Sequence, residues 1–330
     1  MVKIIAEAGI NHNGSLKLAF KLIDAAKNCG ADYVKFQTAV PDEVVLPSAN
    51  KATYQKKNIK DKEKQIDMIR KFHFSLDKFY EIKNYCKKKK IKFLSSPFDN
   101  TSLNFLIKMR VEMLKIPSGE ITNFLLLQKA SEYKKKILLS TGMATEKEIF
   151  NAISILGKKL KKKNIVLLQC NTAYPTPFSD ANLAMINEYK KKFKLKVGYS
   201  DHTPGIEASL AAVALGSEYI EKHLTLDKKM KGPDHSSSLN PAEFKNMVLS
   251  IKNIEKALIK KKKPTQSEKK NLMIVRKSLV SIKNIKKGQK FSLENISAKR
   301  PGNGISPMNI LKILGKKSKR NFSTGKLIKL

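Results

Sequence analysis

The feature that most constrains the fold is a regular alternation of apolar runs and amphipathic segments over the first two-thirds of the chain. Eight apolar runs are each followed by a polar loop and then by residues with helical periodicity. Such alternation implies a parallel sheet, whose strands are buried on both faces and therefore continuously apolar. Eight repeats predict a closed (β/α)8 TIM barrel. The predicted strands are 4–8, 33–37, 92–96, 113–116, 137–141, 165–170, 196–199 and 219–223.

The segments between these strands contain predicted helices and one unusually long connection. Ser15 is a predicted N-cap, and helical patterns cover residues 145–156, 206–215 and 241–258. The connection after the second strand runs from 38 to 75 and has its own helical stretch at 63–71. Loops of this length in a compact domain are commonly functional, for example as lids.

The composition of the chain changes after the eighth predicted helix. We expect a TIM-barrel catalytic domain at 1–258, a linker at 259–272 that is rich in Lys, Pro and Ser, and a small mostly-β domain at 273–330. Short apolar stretches separated by Gly turns at 278–282 and 296–299 predict two strands of that small domain.

The charge balance is extreme, with 66 basic and 28 acidic residues and a formal net charge of +38. The excess is mostly Lys in runs at predicted helix ends and loops, with few interleaved Arg or aromatic residues. Nucleic-acid readout favours those two residue types. We therefore interpret the charge as a solvated surface that attracts small anions, and a basic nucleic-acid-binding protein is only a distant alternative.

Other whole-chain features indicate a cytoplasmic enzyme with no membrane partner. No apolar run approaches the ~18 residues that a membrane helix needs, and the N-terminus becomes acidic at Glu7, too early for a signal peptide. The three Cys residues have no metal-binding or redox spacing.

Two histidines are the sharpest candidates for metal binding. In a barrel the carboxyl ends of all strands meet at one mouth, where the active site lies. His202 and His223 follow consecutive predicted strands, so their side chains could share one divalent metal. The alternative is that each imidazole only hydrogen-bonds within the barrel rim.

Lys35 and Lys115 end the second and fourth predicted strands. A buried Lys is costly without an anionic partner, so two at one mouth suggest a bound phosphate or carboxylate. Ser118, Ser140 and Ser200 add hydroxyl donors nearby. The alternative for Lys115 is a Schiff-base nucleophile, as in a class I aldolase.

Three carboxylates and one aromatic ring complete the candidate set. Glu7, Glu120 and Asp234 could each be a general base or a hydroxyl acceptor, although Glu7 could instead form a structural ion pair with Lys35. Tyr174 could orient a ligand or simply pack within its Pro-rich loop. No nucleotide-binding glycine motif is present.

Ten colinear motifs resemble the sialic acid synthase family, which condenses phosphoenolpyruvate with N-acetylated aminosugars. They span essentially the whole chain, and the C-terminal part resembles the family's antifreeze-like SAF domain. The motifs are AEAGINHNG, VKFQT, SSPFD, KIPSGE, LSTGM, CNTAYPTP, GYSDHT, IEKHLT, GPDH and KRPGNGISP.

The resemblance implies a role for each candidate residue. It makes His202 and His223 the ligands of a divalent metal, Mn or Mg. The candidate catalytic residues are Glu7, Glu120 and Lys115, and either Glu7 or Glu120 could activate the attacking water. The positions that bind phosphoenolpyruvate are Lys35, Lys115, Ser118, Ser140, Thr172 and Ser200. Those that contact the sugar are Glu7, Gln37, Tyr174, Asp234 and Arg300. Arg300 would enter the partner's barrel, which implies a homodimer with exchanged SAF domains.

Two substrates fit this resemblance. Our leading hypothesis is an N-acetylneuraminate synthase that uses N-acetylmannosamine, because CNTAYPTP and KRPGNGISP are typical of bacterial sialate synthases. The alternative is an N,N'-diacetyllegionaminate synthase that uses a 2,4-diacetamido-trideoxy sugar. In the segment after the second strand, Asn50 aligns only loosely with the family's sugar-contacting Asn.

Overall fold

The computed structural model describes residues 1–58, 63–259 and 262–330. The chain divides into two compact units, Met1–Ile259 and a second unit that ends at Leu330. The first unit is built on one eight-stranded parallel sheet, and the second contains a two-stranded antiparallel sheet.

The eight strands of the first unit are mostly apolar and almost entirely buried, as expected for a sheet covered on both faces. Their hydrogen-bonded order is β3-β2-β1-β8-β7-β6-β5-β4. β3 also contacts β4, so the two ends of this order meet and the TIM barrel closes. The strands are β1 (Lys3–Gly9), β2 (Tyr33–Thr38), β3 (Lys92–Pro97), β4 (Met113–Ile116), β5 (Lys136–Ser140), β6 (Ile165–Cys170), β7 (Lys196–Asp201) and β8 (Tyr219–His223).

The predicted barrel is therefore confirmed, with small shifts at the strand ends. The largest is in β7, which extends to Asp201 rather than 199 because Ser200 and Asp201 still pair with Glu221 and Lys222 of β8. This extension keeps Ser200 within the rigid barrel wall.

Helices surround the sheet and begin where the sequence supplies N-caps. Ser15 accepts a hydrogen bond from the amide of Leu18, as predicted, while Thr145 and Asn240 form capping boxes with Glu148 and Glu243. The helices are α1 (Leu16–Cys29), α2 (Pro41–Val44), α3 (Thr53–Asn58), α4 (Gln65–Phe72), α5 (Lys78–Lys89), α6 (Asn100–Lys108), α7 (Phe124–Ser131), α8 (Glu146–Gly157), α9 (Met185–Phe193), α10 (Glu207–Ala214) and α11 (Pro241–Ala257).

The long connection after β2 contains α2, α3 and α4, and its residues 59–62 lie outside the described ranges. The helical stretch predicted at 63–71 is α4. Met68, Ile69 and Phe72 of α4 pack on Ile10, which follows β1. This apolar cluster holds the connection against the rim of the barrel.

The second unit contains a helix, two strands and its own apolar core. Residues 259–272, predicted as a linker, include the start of a helix, α12 (Gln266–Val275), because Thr265 and Glu268 form a capping box. The predicted strands are present as β9 (Ser278–Ser281) and β10 (Ile296–Lys299). The core contains Leu279, Ile285, Phe291, Ile296, Ile313, Phe322 and Ile328.

Two further observations concern the chain as a whole. All three Cys residues are buried free thiols. Within the described ranges, no helix has both the length and the apolar character that crossing a membrane requires.

Candidate active site

One cavity of about 220 Å³ lies at the carboxyl ends of the barrel strands, where TIM-barrel active sites occur. Twelve of the fourteen predicted site residues line it. They are Glu7, Lys35, Gln37, Lys115, Ser118, Ser140, Thr172, Tyr174, Ser200, His202, His223 and Asp234.

The two lysines meet on a residue that sequence reasoning missed, Glu221 of β8. A single oxygen, Glu221 Oε1, lies 3.1 Å from Lys35 Nζ and accepts hydrogen bonds from Lys115 Nζ at 3.0 Å and Ser200 Oγ at 2.9 Å. All four side chains are at least 95% buried. Three positive or polar donors therefore converge on one anionic oxygen at the floor of the cavity.

This cluster shifts the proton affinities of its members in different directions. Burial would raise the pKa of Glu221, but Lys115 and Lys35 outweigh it and hold that pKa well below its usual range. Burial would lower the pKa of Lys35, but Glu221 and Glu7 outweigh it and raise that pKa. For Lys115, burial prevails over Glu221 and lowers the pKa. The cluster thus carries net positive charge when both lysines are protonated.

Glu7 lies at the edge of this cluster. Its Oε2 is 3.4 Å from Lys35 Nζ, and its Oε1 accepts a hydrogen bond from Gln37 Nε2 at 3.2 Å. Burial, only partly offset by Lys35, raises the pKa of Glu7 to about 7. A carboxyl group with this pKa can both accept and donate a proton near neutral pH.

The two imidazoles lie side by side, with ring centroids 5.5 Å apart. His202 Nδ1 is 2.5 Å from the carbonyl oxygen of Asn171, so Nδ1 carries the proton and Nε2 presents its lone pair. His223 Nδ1 is buried and has no hydrogen-bond partner within the described residues. Burial lowers the pKa of His202 to about 4 and that of His223 well below its usual value, so both rings are neutral near pH 7.

Neutral imidazoles are the form that binds metal ions. No set of three or more His, Cys, Asp or Glu side chains is arranged for metal binding in the described part of the chain. The protein would therefore contribute two nitrogen ligands and leave the other positions of the ion open.

Tyr174 and Asp234 complete the wall beside the imidazoles. The Tyr174 ring lies 4.1 Å from the His202 ring and 5.6 Å from the His223 ring, measured between centroids. Asp234 is 4% exposed, and its Oδ1 has no hydrogen-bond partner in the described structure. Burial raises the pKa of Asp234 to about 7. A buried carboxyl oxygen without a partner is suited to a ligand that donates a hydrogen bond.

Two predicted site residues are not among those that line the cavity. Glu120 is part-buried, and its Oε2 accepts a hydrogen bond from Asn123, the N-cap of α7. Arg300 belongs to the second unit, is exposed, and donates from Nε to the carbonyl oxygen of Val275. The entry of Arg300 into the barrel of a partner subunit stays a prediction.

Three polar lining residues, Ser96, Glu221 and Gln55, were absent from the predicted set. Glu221 belongs to the IEKH run before His223, and its inward position two residues from His223 was the available signal. Gln55 of α3 also lines the cavity. It lies 17 residues beyond the end of β2 at Thr38, so strand-end reasoning had no means to find it.

Two family models match this chain. Residues 22–263 match the NeuB family, and residues 276–330 match the SAF domain. The chain belongs to the NeuB family. It is an enzyme, because members of this family are synthases of nonulosonic acids.

NeuB relatives cover the whole length of this chain. The chain is 50% identical to an N,N'-diacetyllegionaminic acid synthase of Campylobacter jejuni, over 99% of this chain and 98% of the relative. It is 42% identical to one from Legionella pneumophila, over 98% and 92%. A solved N-acetylneuraminic acid synthetase from Leptospira borgpetersenii is 37% identical with a TM-score of 0.71, over 82% of this chain and 90% of that structure. The identities are thus higher for the diacetyllegionaminic acid synthases.

Proposed function

We propose that this enzyme condenses phosphoenolpyruvate with a 2,4-diacetamido-trideoxy sugar to form N,N'-diacetyllegionaminate. The main support for this reaction class is a single cavity that contains two lysines on its floor and two neutral imidazoles on its wall. The choice of sugar rests on the 50% identity to a diacetyllegionaminic acid synthase. This favours our alternative hypothesis over N-acetylmannosamine, the substrate of the leading hypothesis.

The lysine side of the cavity is suited to phosphoenolpyruvate, which carries both a phosphate and a carboxylate. Lys35 and Lys115 supply positive charge, and Ser140 Oγ is buried without a hydrogen-bond partner in the described structure. A phosphate or carboxylate oxygen would satisfy that hydroxyl and neutralise the lysines. We assign phosphoenolpyruvate binding to Lys35, Lys115, Ser118, Ser140, Thr172 and Ser200.

The imidazole side fits a divalent ion, Mn or Mg, held by His202 and His223. Such an ion, when bound, supplies Lewis acidity to the aldehyde of the open-chain sugar. Tyr174 packs against both rings. We assign Glu7, Gln37, Tyr174 and Asp234 to the sugar.

The reaction forms one C–C bond and replaces the C2–O bond to phosphate by a C2–O bond to the oxygen of water. C3 of phosphoenolpyruvate adds to C1 of the sugar, and the former aldehyde oxygen takes a proton to become a hydroxyl. Water adds to C2 and loses a proton. Phosphate then leaves with its bridging oxygen, while the new C2 hydroxyl loses its proton and becomes the keto group. Glu7 has the pKa and position to exchange these protons. Glu120 is hydrogen-bonded to Asn123 outside the lining, which makes it the weaker candidate for the water-activating base.

The test is phosphate release by the purified protein with phosphoenolpyruvate and each sugar, with and without a chelator. We expect a higher kcat/KM for the diacetamido sugar, loss of activity with chelator and recovery with Mn. Label in the bridging oxygen of phosphoenolpyruvate should appear in phosphate. Faster turnover of N-acetylmannosamine would reinstate the leading hypothesis, and turnover of neither sugar would refute the synthase assignment. Borohydride trapping at Lys115 would instead support a Schiff-base aldolase.

Arg300 and the quaternary structure belong to the same proposal. We assign Arg300 to the sugar site of a partner subunit in a homodimer with exchanged SAF domains. The sequence similarity over residues 276–330 supports this, because the SAF domain accompanies the barrel.

A further inference from the structure

A buried ion pair lies behind the two histidines, on the side of the barrel wall that faces away from the cavity. Asp201 is the last residue of β7 and precedes His202, and Lys222 precedes His223 in β8. Lys222 Nζ lies 2.9 Å from Asp201 Oδ2, and both side chains are at least 99% buried. Neither residue is among those that line the active-site cavity. Because side chains alternate along a strand, the ion pair and the imidazoles lie on opposite faces of the same two strands.

Both members of this ion pair are hydrogen-bonded to the residue that follows His202. Asp201 Oδ1 accepts from the amide of Thr203 at 2.8 Å and from its hydroxyl at 2.7 Å. Lys222 Nζ donates to the carbonyl oxygen of Thr203 at 2.6 Å. Ser209 of α10 donates to Asp201 Oδ2, also at 2.6 Å. The backbone of Thr203 is therefore held at both its N–H and its C=O, and Lys222 connects it to β8.

Stability alone gives little reason for an ion pair in this place. Moving two charges out of water carries a large desolvation cost, and replacing a buried ion pair by apolar side chains of similar volume is often neutral or stabilising. The pair instead joins the two backbone segments that carry the histidines, because Asp201 and Lys222 are partners in the register of β7 and β8. Its geometry therefore restrains where the two imidazoles lie relative to each other.

We propose that the Asp201–Lys222 ion pair positions the imidazoles of His202 and His223 to share one divalent ion. Groups behind the ligands of a metal site orient those ligands and tune the affinity for the metal. The ring centroids are 5.5 Å apart, and the ion pair connects the backbones that carry the two rings. Asp201 and Lys222 are positioning residues, because both act through the histidines. The inference rests on the proposed function, which takes these histidines to be the metal ligands.

The experiment measures Mn²⁺ binding by the purified full-length protein without substrates, from the electron paramagnetic resonance signal of free Mn²⁺. Lys222→Met removes one charge and leaves Asp201 unpaired in the interior. The double variant Asp201→Asn with Lys222→Met removes both charges and keeps an acceptor for the amide of Thr203. The control is Lys196→Met with Glu218→Gln, which removes the exposed pair at the other end of the same two strands. The Tm of each protein is measured in parallel.

We expect the Kd for Mn²⁺ to rise about 10-fold in both Lys222→Met and the double variant, the size usual for groups behind metal ligands. The Tm should fall in Lys222→Met and recover in the double variant, because no unpaired charge remains there. Metal affinity and stability would then change independently, which a purely structural role does not predict. The control should keep the wild-type Kd.

Two results would overturn the inference. A wild-type Kd in the double variant would show that the ion pair contributes only to stability, whether or not Lys222→Met folds. An equal rise of the Kd in the control would show that any charge change on these two strands has the same effect. Failure of the proposed function is distinguishable, because the wild type itself would then bind no Mn²⁺ and release no phosphate, and the metal assignment would be lost with this inference.

Discussion

At the scale of single residues, Glu221 has the largest electrostatic role in the cavity. One of its oxygens receives Lys35, Lys115 and Ser200, so the resting site already contains an anion between the two lysines. Removing one member of a buried ion cluster leaves the remaining charges uncompensated, which is more costly than removing the whole cluster.

We expect Glu221→Gln to lower the free energy of unfolding by roughly 3 kcal/mol. Phosphoenolpyruvate would then supply the missing negative charge, so its addition should raise the Tm of the variant more than that of the wild type. The control is Glu218→Gln, which breaks an exposed pair with Lys196 and should cost less than about 1 kcal/mol. An equal Tm increase in variant and wild type would contradict this account.

Asp234 predicts a pH-dependent stability. Its pKa is raised from 3.8 to about 7 by burial, so the folded chain binds this proton more tightly than the unfolded chain. The contribution of this carboxyl group to the free energy of unfolding is therefore fully present below about pH 4. It is lost as the pH rises to about 7. Asp234→Asn cannot ionise, and it should be stabilised relative to the wild type at pH 8 by on the order of 1–4 kcal/mol, with little difference at pH 4.

Denaturant unfolding between pH 4 and pH 8 measures this effect, with Asp180→Asn as an exposed control. The same Asp234→Asn variant should lose affinity for the sugar. A constant stability difference across the pH range would show that the carboxyl group is not buried as described.

Whether a site residue could be predicted depends on its place in the sequence, at a strand end, within a strand or in a long connection. His202, His223, Lys35 and Lys115 could be predicted because a parallel barrel collects strand ends. The spacing of Glu221 from His223 indicated that its side chain faces inward, but the sequence of β8 gives no indication of which partners neutralise this charge. Gln55 reaches the cavity because the long connection packs on the barrel, and no local sequence pattern predicts that packing.

At the scale of elements, the apolar contacts of α4 determine how the long connection rests on the barrel. Phe72 is 7% exposed and packs with Met68, Ile69 and Ile10. Ile10 also lines the active-site cavity. The side chain of Ile10 therefore contributes both to the packing of α4 and to the lining of the cavity.

We expect Phe72→Ala to destabilise this connection by about 3 kcal/mol, the usual cost of a buried Phe cavity. Hydrogen exchange of the backbone amides in residues 65–72 should accelerate, and the sugar KM should rise. Arg70→Ala on the same helix removes exposed ion pairs with Asp42 and Asp67 and is the control. Unchanged exchange in α4 would mean that other contacts hold the connection.

The elements themselves were largely predictable, for a physical reason. Strands buried on both faces are mostly apolar, so Met113–Ile116, Ile165–Cys170 and Tyr219–His223 were predicted with their observed bounds. Helix α12 was missed because Lys-rich and Pro-containing sequence resembles a linker. Its N-cap at Thr265 with Glu268 was nevertheless a readable signal.

At the scale of the whole molecule, the proposed homodimer with exchanged SAF domains makes a prediction about mixed dimers. We expect His202→Ala and Arg300→Ala each to abolish most activity as homodimers. If Arg300 acts in the partner's barrel, a mixed dimer contains one barrel with intact histidines that receives an intact arginine. Activity should then return when the two inactive variants are unfolded together and refolded.

The expected recovery is about one quarter of the wild-type activity, because half of the dimers are mixed and each has one complete site. A mixture of His202→Ala and His223→Ala is the control and should stay inactive, since both changes affect the barrel. No recovery in the first mixture would place Arg300 in the barrel of its own chain or outside the site.

The contact between His202 Nδ1 and the carbonyl oxygen of Asn171 has a consequence for how such sites diverge. The atom that selects the tautomer is a main-chain oxygen, which every amino acid carries. Substitutions at position 171 can therefore leave the ring's coordinating nitrogen in place as long as the backbone keeps its path. Orthologues with a different residue at position 171 would keep this hydrogen bond, although a comparison of their side chains would not reveal it.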